Sequence, residues 1–336
     1  MKTLVIQTAF AGDLVLTLPL IQSLARNEVI TSVDVLCIPG TAPLLENHPD
    51  VSGIIKYDKQ GDRLFTGLYR LMRVLRAKQY DIVISPHRSF RSALLSYATN
   101  ARVRISFDRS EGGMLYTHRE GYGKSWHEVA RNLVLLSPLK IPPRSLKPEL
   151  HPGENDYKNA VEALHQEGVN RKYVCLAPGS VWPTKRWTIE GFAELAVKIQ
   201  DDGYKVVLLG GKMDEDICAR VRSLAGNKPA NFSGRLTWLE SAVVIKRASA
   251  LVSNDSAPVH IASAMETPVL EIYGPTSPVF GFTPWKTRHR LVQLDGLSCA
   301  PCAIHGGRTC PIKSHICMQS LSAGQIYAHL IALLGE

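Results

Sequence analysis

Several acids and bases that could take part in catalysis follow short apolar segments that are typical of β-strands. The first is Asp13, which comes after "TLVIQ" (3–7) and a turn of small residues. Asp13 opens a segment with helical spacing, so its simplest role is to cap that helix, worth about 1 kcal/mol. Its alternative role is a general base, which takes a proton from a reacting hydroxyl group. The local sequence alone favours the cap.

Two turns in the second half of the chain suit a phosphate group. The segment "APGSVWPTKRW" (177–187) follows a predicted strand. It begins with small residues that leave backbone amides accessible, and Lys185 and Arg186 come after them. The segment "NDSAPVHIASA" (254–264) predicts a helix with Ser256 as its N-cap, where an anion could approach the first amides. An ordinary capped helix explains this segment almost as well. Together the two turns favour a diphosphate site.

A third pair of candidates, Asp214 and Glu215, follows Gly210-Gly211 at the end of another predicted strand. A carboxylate in this position is the usual hydrogen-bond acceptor for ribose hydroxyls. The alternative is that both acids stabilise the first turn of a helix. Asp214 and Asp216 also form a D-x-D pattern, but residues two apart on a helix do not share a face, so a divalent metal is not supported.

The chain has seven cysteines, and four of them lie close together near the C-terminus. We expect Cys37, Cys175 and Cys218 to be buried thiols. The other four contain one C-x-x-C pair and two isolated residues, which is only half of a typical zinc-site pattern. Structural zinc, disulfides and simple packing all stay open for this group: Cys299, Cys302, Cys310 and Cys317.

The chain contains two series of alternating strands and helices, which predicts an α/β fold with two parallel sheets. The first series has strands at 3–7, 33–38, 53–58, 81–85 and 102–107, with helices at 13–26, 63–78 and 88–98. The second has strands at 173–178, 204–211, 250–255 and 267–274, with helices at 188–202, 213–225, 237–248 and 256–265. Because ligands bind beyond the carboxyl ends of such strands, we expect the site in a cleft between two domains.

Domain boundaries are set by a proline-rich segment at 137–155, which follows a helical stretch at 125–136 and favours a linker. The predicted domains are residues 1–145 and 156–320. A final helix within 321–336 is predicted to pack back on the first domain.

The composition favours anionic partners. Among 336 residues, 39 Lys and Arg against 30 Asp and Glu give a formal net charge of +9. Such a charge suits phosphorylated substrates, an acidic lipid surface or nucleic acid. The sequence has no nucleic-acid-binding signature and no dense basic run, so we expect no nucleic-acid partner.

Seven motifs, spread over nearly the whole chain, resemble the lipopolysaccharide heptosyltransferase family, and above all its second-heptose enzymes. They are "FAGDLVLTLPLIQSLA", "SFRSALL", "HEVARNLVLL", "APGSVWPTKRW", "NDSAPVHIASA", "YGPTSP" and the terminal "CAPC…CP…HICM". The resemblance implies a GT-B architecture of two Rossmann-like domains. It also implies transfer of L-glycero-D-manno-heptose from ADP-heptose to the lipopolysaccharide inner core, with inversion and without a metal or other cofactor.

By the same resemblance, Asp13 would be the base and Lys185 would neutralise the departing diphosphate. The acceptor, a lipid A, Kdo and heptose core, would lie against the N-terminal domain near Arg88 and Arg91, for which a solvated helix face is an equal alternative. The enzyme would be cytoplasmic and peripheral at the inner membrane. The donor in the C-terminal domain would contact Ser180, Thr184, Arg186, Asp214, Glu215, Leu236, Asp255, Ser256 and Ala257.

Three other hypotheses fit these features: the protein is a different GT-B sugar transferase, a nucleotide-sugar epimerase, or a non-catalytic protein that binds a nucleotide sugar. The first two would prefer another nucleotide such as UDP over ADP. The third would lack transfer activity.

Overall fold

The computed structural model describes residues 1–58 and 66–336 and divides the chain into two compact units, Met1–His151 and Pro152–Glu336. The boundary lies inside the proline-rich segment that the sequence predicts as a linker. Within the described residues, no helix combines the length and apolar character needed to cross a membrane. The first part of the helix predicted at 63–78 lies outside the described residues.

The first unit contains a parallel six-stranded sheet in the order β3-β2-β1-β4-β5-β6. Its strands are β1 (Lys2–Ile6), β2 (Ser32–Cys37), β3 (Gly53–Lys56), β4 (Ile82–Ile84), β5 (Val103–Phe107) and β6 (His118–Glu120). Its helices are α1 (Ala11–Ala25), α2 (Thr66–Ala77), α3 (Phe90–Ala98) and α4 (Glu128–Val134). The central strands are buried on both faces, which explains their nearly continuous apolar sequences.

The second unit repeats this plan with the sheet order β12-β11-β10-β7-β8-β9. Its strands are β7 (Tyr173–Ala177), β8 (Lys205–Leu208), β9 (Ala230–Asn231), β10 (Ala250–Asn254), β11 (Val269–Ile272) and β12 (His289–Val292). Its helices are α5 (Glu154–Gln166), α6 (Ile189–Asp201), α7 (Glu215–Leu224), α8 (Trp238–Arg247), α9 (Ala257–Ala264), α10 (Ile316–Gln319) and α11 (Ala323–Gly335). The predicted α/β class with parallel sheets is therefore confirmed.

Both sheets have the doubly wound strand order, in which the first and fourth strands of the unit are neighbours. In the first unit β1 pairs with β4, and in the second unit β7 pairs with β10. The chain leaves the two strands of each pair in opposite lateral directions, so a crevice opens at their carboxyl ends. The candidate residues that follow these four strands therefore come together within each unit.

The sequence analysis missed five elements, among them the four-residue helix α10 in the cysteine-rich segment. Strands β6 and β9 have only 3 and 2 residues, and each lies at an edge of its sheet, so neither shows a clear alternation of side chains. Strand β12 is the other edge of the second sheet and is partly exposed. Helix α5 begins within the predicted linker, and only Ala160 and Leu164 on it are buried.

The prediction that the C-terminal helix packs on the first domain is wrong. Ile326, Leu330 and Leu333 of α11 are fully buried in the hydrophobic core of the second unit, together with residues of α6, β11 and β12. The helix begins with a capping box, in which the Ser322 hydroxyl accepts a hydrogen bond from the Gln325 backbone amide. It is therefore part of the second unit.

Leu330→Ala should lower the free energy of unfolding by about 2–5 kcal/mol, because it leaves a cavity in the core. The matched control is Ile331→Ala on the same helix, where the side chain is 39% exposed and the loss should be much smaller. Urea unfolding followed by circular dichroism measures both. Equal losses in the two variants would show that α11 is not buried as described.

Candidate functional site

Asp13 lies in the first turn of α1, after β1. Its carboxylate accepts a hydrogen bond of 3.2 Å from the Phe10 backbone amide, so the capping role is observed directly. The neighbouring loop after β4 is tied to the loop after β1, because the Thr8 hydroxyl is 2.9 Å from His87 Nδ1. Asp13 therefore lies at a fixed position at the carboxyl edge of the first sheet.

Arg88 lies in the loop between β4 and α3, not on the helix as the sequence predicts, because Ser89 is the N-cap of α3. Its guanidinium stands over the Tyr122 ring at 4.1 Å from the ring centroid. Arg91 lies inside the first turn of α3 and is half-buried. Of the two predicted cations, the structure brings Arg88 into a cluster of aromatic and charged side chains.

Tyr122 belongs to the segment 108–124, for which the sequence shows no clear pattern. Burial raises the pKa of its phenol, and the negative charges of Glu128 and Asp13 add to this shift, while Arg131 and Arg88 oppose it. The Asp13 charge therefore acts on the Tyr122 phenol, although more weakly than the other charges. Tyr122 is a candidate residue that the sequence analysis missed.

Lys185 and Asp255 form a nearly buried ion pair in the second unit. Lys185 Nζ lies 2.7 Å from Asp255 Oδ2, with side-chain exposures of 12% and 9%, and it also donates to the Asp255 backbone carbonyl at 3.2 Å. The Thr276 hydroxyl donates to the same carboxylate oxygen at 2.8 Å. The pair joins the loop after β7 to the loop after β10, at the edge where a ligand is expected.

Asn254, the last residue of β10, fixes both of these loops. Its side-chain oxygen accepts a hydrogen bond of 2.9 Å from the Trp187 backbone amide, and its side-chain nitrogen donates to the Pro178 carbonyl at 2.8 Å. The side chain is fully buried. The sequence analysis assigned it no role, although an Asn at the end of an apolar strand is a signal that could have been used.

The cysteine-rich loop holds the turn that carries Lys185. The Thr184 hydroxyl donates to the Gly307 carbonyl at 3.0 Å and accepts from the Gly307 amide at 2.8 Å, while His315 Nε2 lies 2.7 Å from the Thr184 carbonyl. Gly306 has φ +79°, and a Cβ there would lie 2.9 Å from Lys185 Cγ. Glycine is therefore required, and Thr184 is engaged with this loop.

Arg186 and Ser180 are used largely within their own loop. The Arg186 guanidinium donates to the Ser180 carbonyl from Nε at 2.9 Å and from Nη2 at 2.6 Å. Ser180 itself is 8% exposed. These contacts shape the turn that precedes Lys185.

The start of α9 departs from the expected cap. Ser256 occupies the N-cap position, but its hydroxyl donates to the Asn254 carbonyl at 3.2 Å and makes no hydrogen bond to a helix amide. Ala257, the first helical residue, is half-buried and carries only a methyl group. The amides of the first turn of α9 therefore lack a side-chain cap.

Asp214 and Glu215 lie after β8, as predicted, but with different surroundings. The Asp214 carboxylate accepts a hydrogen bond of 2.9 Å from the Gly211 amide and lies against Gly179, where a Cβ would be 2.2 Å from its carboxyl carbon. Glu215 is exposed. Leu236, between β9 and α8, is half-buried. Asp214 therefore has the observed structural role, and the more exposed Glu215 is the better ribose candidate.

Glu271 is a buried acid next to the ion pair. It lies in β11 beside Ser253 of β10, is fully buried, and neither carboxyl oxygen has a partner with hydrogen-bond geometry. Burial raises its pKa well above the usual range, and the charge of Asp255 raises it further, while Tyr273 and Lys185 act in the opposite direction. Its surroundings therefore favour the protonated form, and Asp255 is the acid that pairs with Lys185.

The four C-terminal cysteines are all free thiols, so the disulfide alternative is not observed. Cys317 is buried and Cys302 is exposed. The His315 amide donates to Cys310 Sγ at 3.4 Å and lowers the pKa of that thiol. In the described part of the chain, no group of three or more His, Cys, Asp or Glu side chains is placed to hold a metal ion, so the zinc alternative gains no support.

Comparisons with known proteins agree with this arrangement. Residues 68–313 match the model of glycosyltransferase family 9 (heptosyltransferase). Lipopolysaccharide heptosyltransferase 3 from Escherichia coli is 30% identical over 303 residues, covering 85% of this chain and 86% of the relative. Lipopolysaccharide heptosyltransferase 2 from Salmonella typhimurium strain LT2 is 28% identical over 309 residues, covering 88% of each chain.

A solved structure, E. coli ADP-heptose lps heptosyltransferase II, superimposes with a TM-score of 0.79 at 25% identity and covers 99% of this chain and 98% of that one. The fold is thus that of the GT-B glycosyltransferases. The chain belongs to glycosyltransferase family 9, the heptosyltransferases, and is a glycosyltransferase of the heptosyltransferase type.

The raised pKa of Glu271 predicts a pH-dependent cost to stability. Because the folded state binds this proton more tightly than the unfolded state, which releases it above about pH 4.3, the stabilising effect of protonation is lost as pH rises toward the folded-state pKa. Glu271→Gln removes this dependence. As pH rises above about 5, the unfolding free energy of Glu271→Gln should increase relative to that of the parent chain, by at most about 1.4 kcal/mol per pH unit.

Urea unfolding at several pH values measures this difference. Glu194→Gln, where the side chain is 62% exposed, is the matched control and should show no such trend. A constant difference between Glu271→Gln and the parent chain would mean that Glu271 is ionised in the folded protein.

Proposed function

We propose that this enzyme transfers L-glycero-D-manno-heptose from ADP-heptose to the inner core of lipopolysaccharide in a single inverting displacement. The observation that carries the proposal is the buried Lys185–Asp255 ion pair at the carboxyl ends of β7 and β10. A nearly buried ammonium beside the uncapped first turn of α9 suits a diphosphate. The solved relative that is named for ADP-heptose supports the choice of donor.

In this mechanism the departing ADP gathers negative charge as the glycosidic bond breaks. Lys185 and the amides at the start of α9 stabilise that charge, so the step requires no metal. Asp255 and Thr276 hold the lysine in place by the contacts described above. Glu215 and Leu236 contact the nucleoside. Asp214 supports this side of the site by packing against Gly179.

Asp13 takes the proton from the acceptor hydroxyl, which then attacks the anomeric carbon from the face opposite to ADP. Arg88 supports the anionic acceptor, a lipid-linked core of phosphorylated sugars. The formal net charge of +9 favours contact with the anionic cytoplasmic face of the inner membrane, where this acceptor is presented. The relatives include types 3 and 2 at 30% and 28% identity, so they do not separate the possible acceptor positions.

A transfer assay tests the proposal. With ADP-heptose and lipopolysaccharide from a heptose-deficient strain, mass spectrometry should detect addition of one heptose, and nuclear magnetic resonance should show an inverted anomeric centre. The rate should be the same in EDTA. Preference for a UDP-sugar would overturn the donor, whereas inactivation by EDTA with recovery on adding a metal would overturn the metal-free mechanism.

Asp13→Asn separates the base from the cap. The amide oxygen of Asn can still accept the hydrogen bond from the Phe10 amide, so stability should change little. The kcat for transfer should fall about 10²- to 10⁴-fold, since Asn cannot accept the proton, while ADP affinity is retained.

The matched control is Asp156→Asn in α5, where Asp156 accepts a hydrogen bond of 2.8 Å from the Gly153 amide in the same capping arrangement. Its kcat should be unchanged. If Asp13→Asn keeps full activity, Asp13 has only the capping role.

A further inference from the structure

The Tyr122 side chain is held firmly although it lies in a segment without regular structure. Its backbone amide donates to Asp108 Oδ1 at 3.1 Å. Its ring meets the fully buried Phe107 edge to face, with centroids 5.1 Å apart and an interplanar angle of 82°. The ring is therefore a fixed surface next to the carboxyl edge of the first sheet.

Two guanidinium groups lie over this ring, and one of them is structural. Arg131 is 4.8 Å from the ring centroid, is 2% exposed, and forms an ion pair of 2.8 Å with Glu128. It also donates to the carbonyls of Gly123 at 2.8 Å and Lys124 at 2.6 Å. The charge of Arg131 is thus balanced by Glu128, and its hydrogen bonds hold the segment that carries Tyr122.

Arg88, the second guanidinium, has a different environment. It is half-buried, and within residues 1–58 and 66–336 no acidic side chain forms an ion pair with it. Its guanidinium lies 4.1 Å from the centre of the Tyr122 ring. The charge of Asp13 also acts on this phenol, and it raises the pKa of Tyr122. A cation that has an aromatic support but no acidic partner is suited to bind an anion from solution.

We propose that Tyr122 is a positioning residue that holds Arg88 as the binding group for an anionic substituent, a phosphate or a carboxylate, of the acceptor. This inference rests on the proposed function, because it assigns the first unit to the acceptor. Tyr122 acts on binding by restricting the rotamers of Arg88 before the acceptor arrives. It takes no part in proton transfer, so its effect falls on the KM for the acceptor and not on kcat.

Steady-state kinetics of Tyr122→Leu and Tyr122→Phe test this role. Tyr122→Leu should raise the acceptor KM by between about 2- and 30-fold, the range expected for loss of a cation–π contact. Tyr122→Phe keeps the ring and should restore the acceptor KM nearly to that of the parent chain. The kcat and the KM for ADP-heptose should be unchanged in both variants.

A double-mutant cycle shows whether Tyr122 acts through Arg88. Arg88→Leu alone should raise the acceptor KM, and adding Tyr122→Leu should raise it no further. Additive effects would overturn the positioning role. An unchanged acceptor KM in Arg88→Leu would instead overturn the assignment of Arg88 to the acceptor, which belongs to the proposed function.

The matched control is Tyr97→Leu, which removes a similar contact in the same unit, where Arg104 lies 5.6 Å from the ring centroid of an exposed tyrosine. It should leave every kinetic constant unchanged. If Tyr122→Leu does not fold, Tyr122→Phe and Arg88→Leu still decide the matter: loss of acceptor affinity in the Phe variant would show that the hydroxyl, not the ring, is required.

The chemistry of the bound group is identified with two acceptors, one phosphorylated and one from which the phosphates have been removed enzymatically. If Arg88 binds a phosphate, the effect of Tyr122→Leu on KM should disappear with the dephosphorylated acceptor. If it binds a carboxylate, the effect should persist. An effect of equal size with an uncharged acceptor sugar would contradict both.

Discussion

The Lys185–Asp255 ion pair is the interaction on which the arrangement of the second unit depends. Placing two charges in a nearly buried site costs solvation energy, and a well-packed apolar pair is often as stable or more stable. The pair is nevertheless supported by the Thr276 hydroxyl, which donates to the Asp255 carboxylate, and Gly306 leaves room for the Lys185 side chain that a Cβ would occupy. Under the proposed function, this fixed ammonium serves to bind the diphosphate and not to stabilise the fold.

The first unit uses a comparable arrangement for a different purpose. Asp13 and Arg88 follow β1 and β4, the two neighbouring strands at the centre of the sheet. The charges of both side chains act on the Tyr122 phenol. The acid caps α1, and the proposed proton transfer takes place at the same edge. Each unit therefore presents charged groups where its sheet order opens a crevice.

The sequence predicts much of this, because strands buried on both faces and helices with an apolar face leave clear patterns, as in β7 and α6. It also places Asp13, Lys185 and Asp255 after strands. It does not predict that Lys185 pairs with Asp255, since that contact depends on β7 lying beside β10. Tyr122 and Gly306 were missed because their roles arise from tertiary contacts in irregular segments. Helix α11 was assigned to the first domain because an apolar helix face does not indicate which surface it packs against.

A crystal structure with ADP bound tests the central claim most directly, which is that the buried ion pair in the second unit receives the diphosphate. We expect a β-phosphate oxygen within hydrogen-bond distance of Lys185 Nζ and the phosphates at the first turn of α9, with the Thr276–Asp255 hydrogen bond retained. A diphosphate bound elsewhere, with Lys185 still paired only to Asp255, would contradict the account.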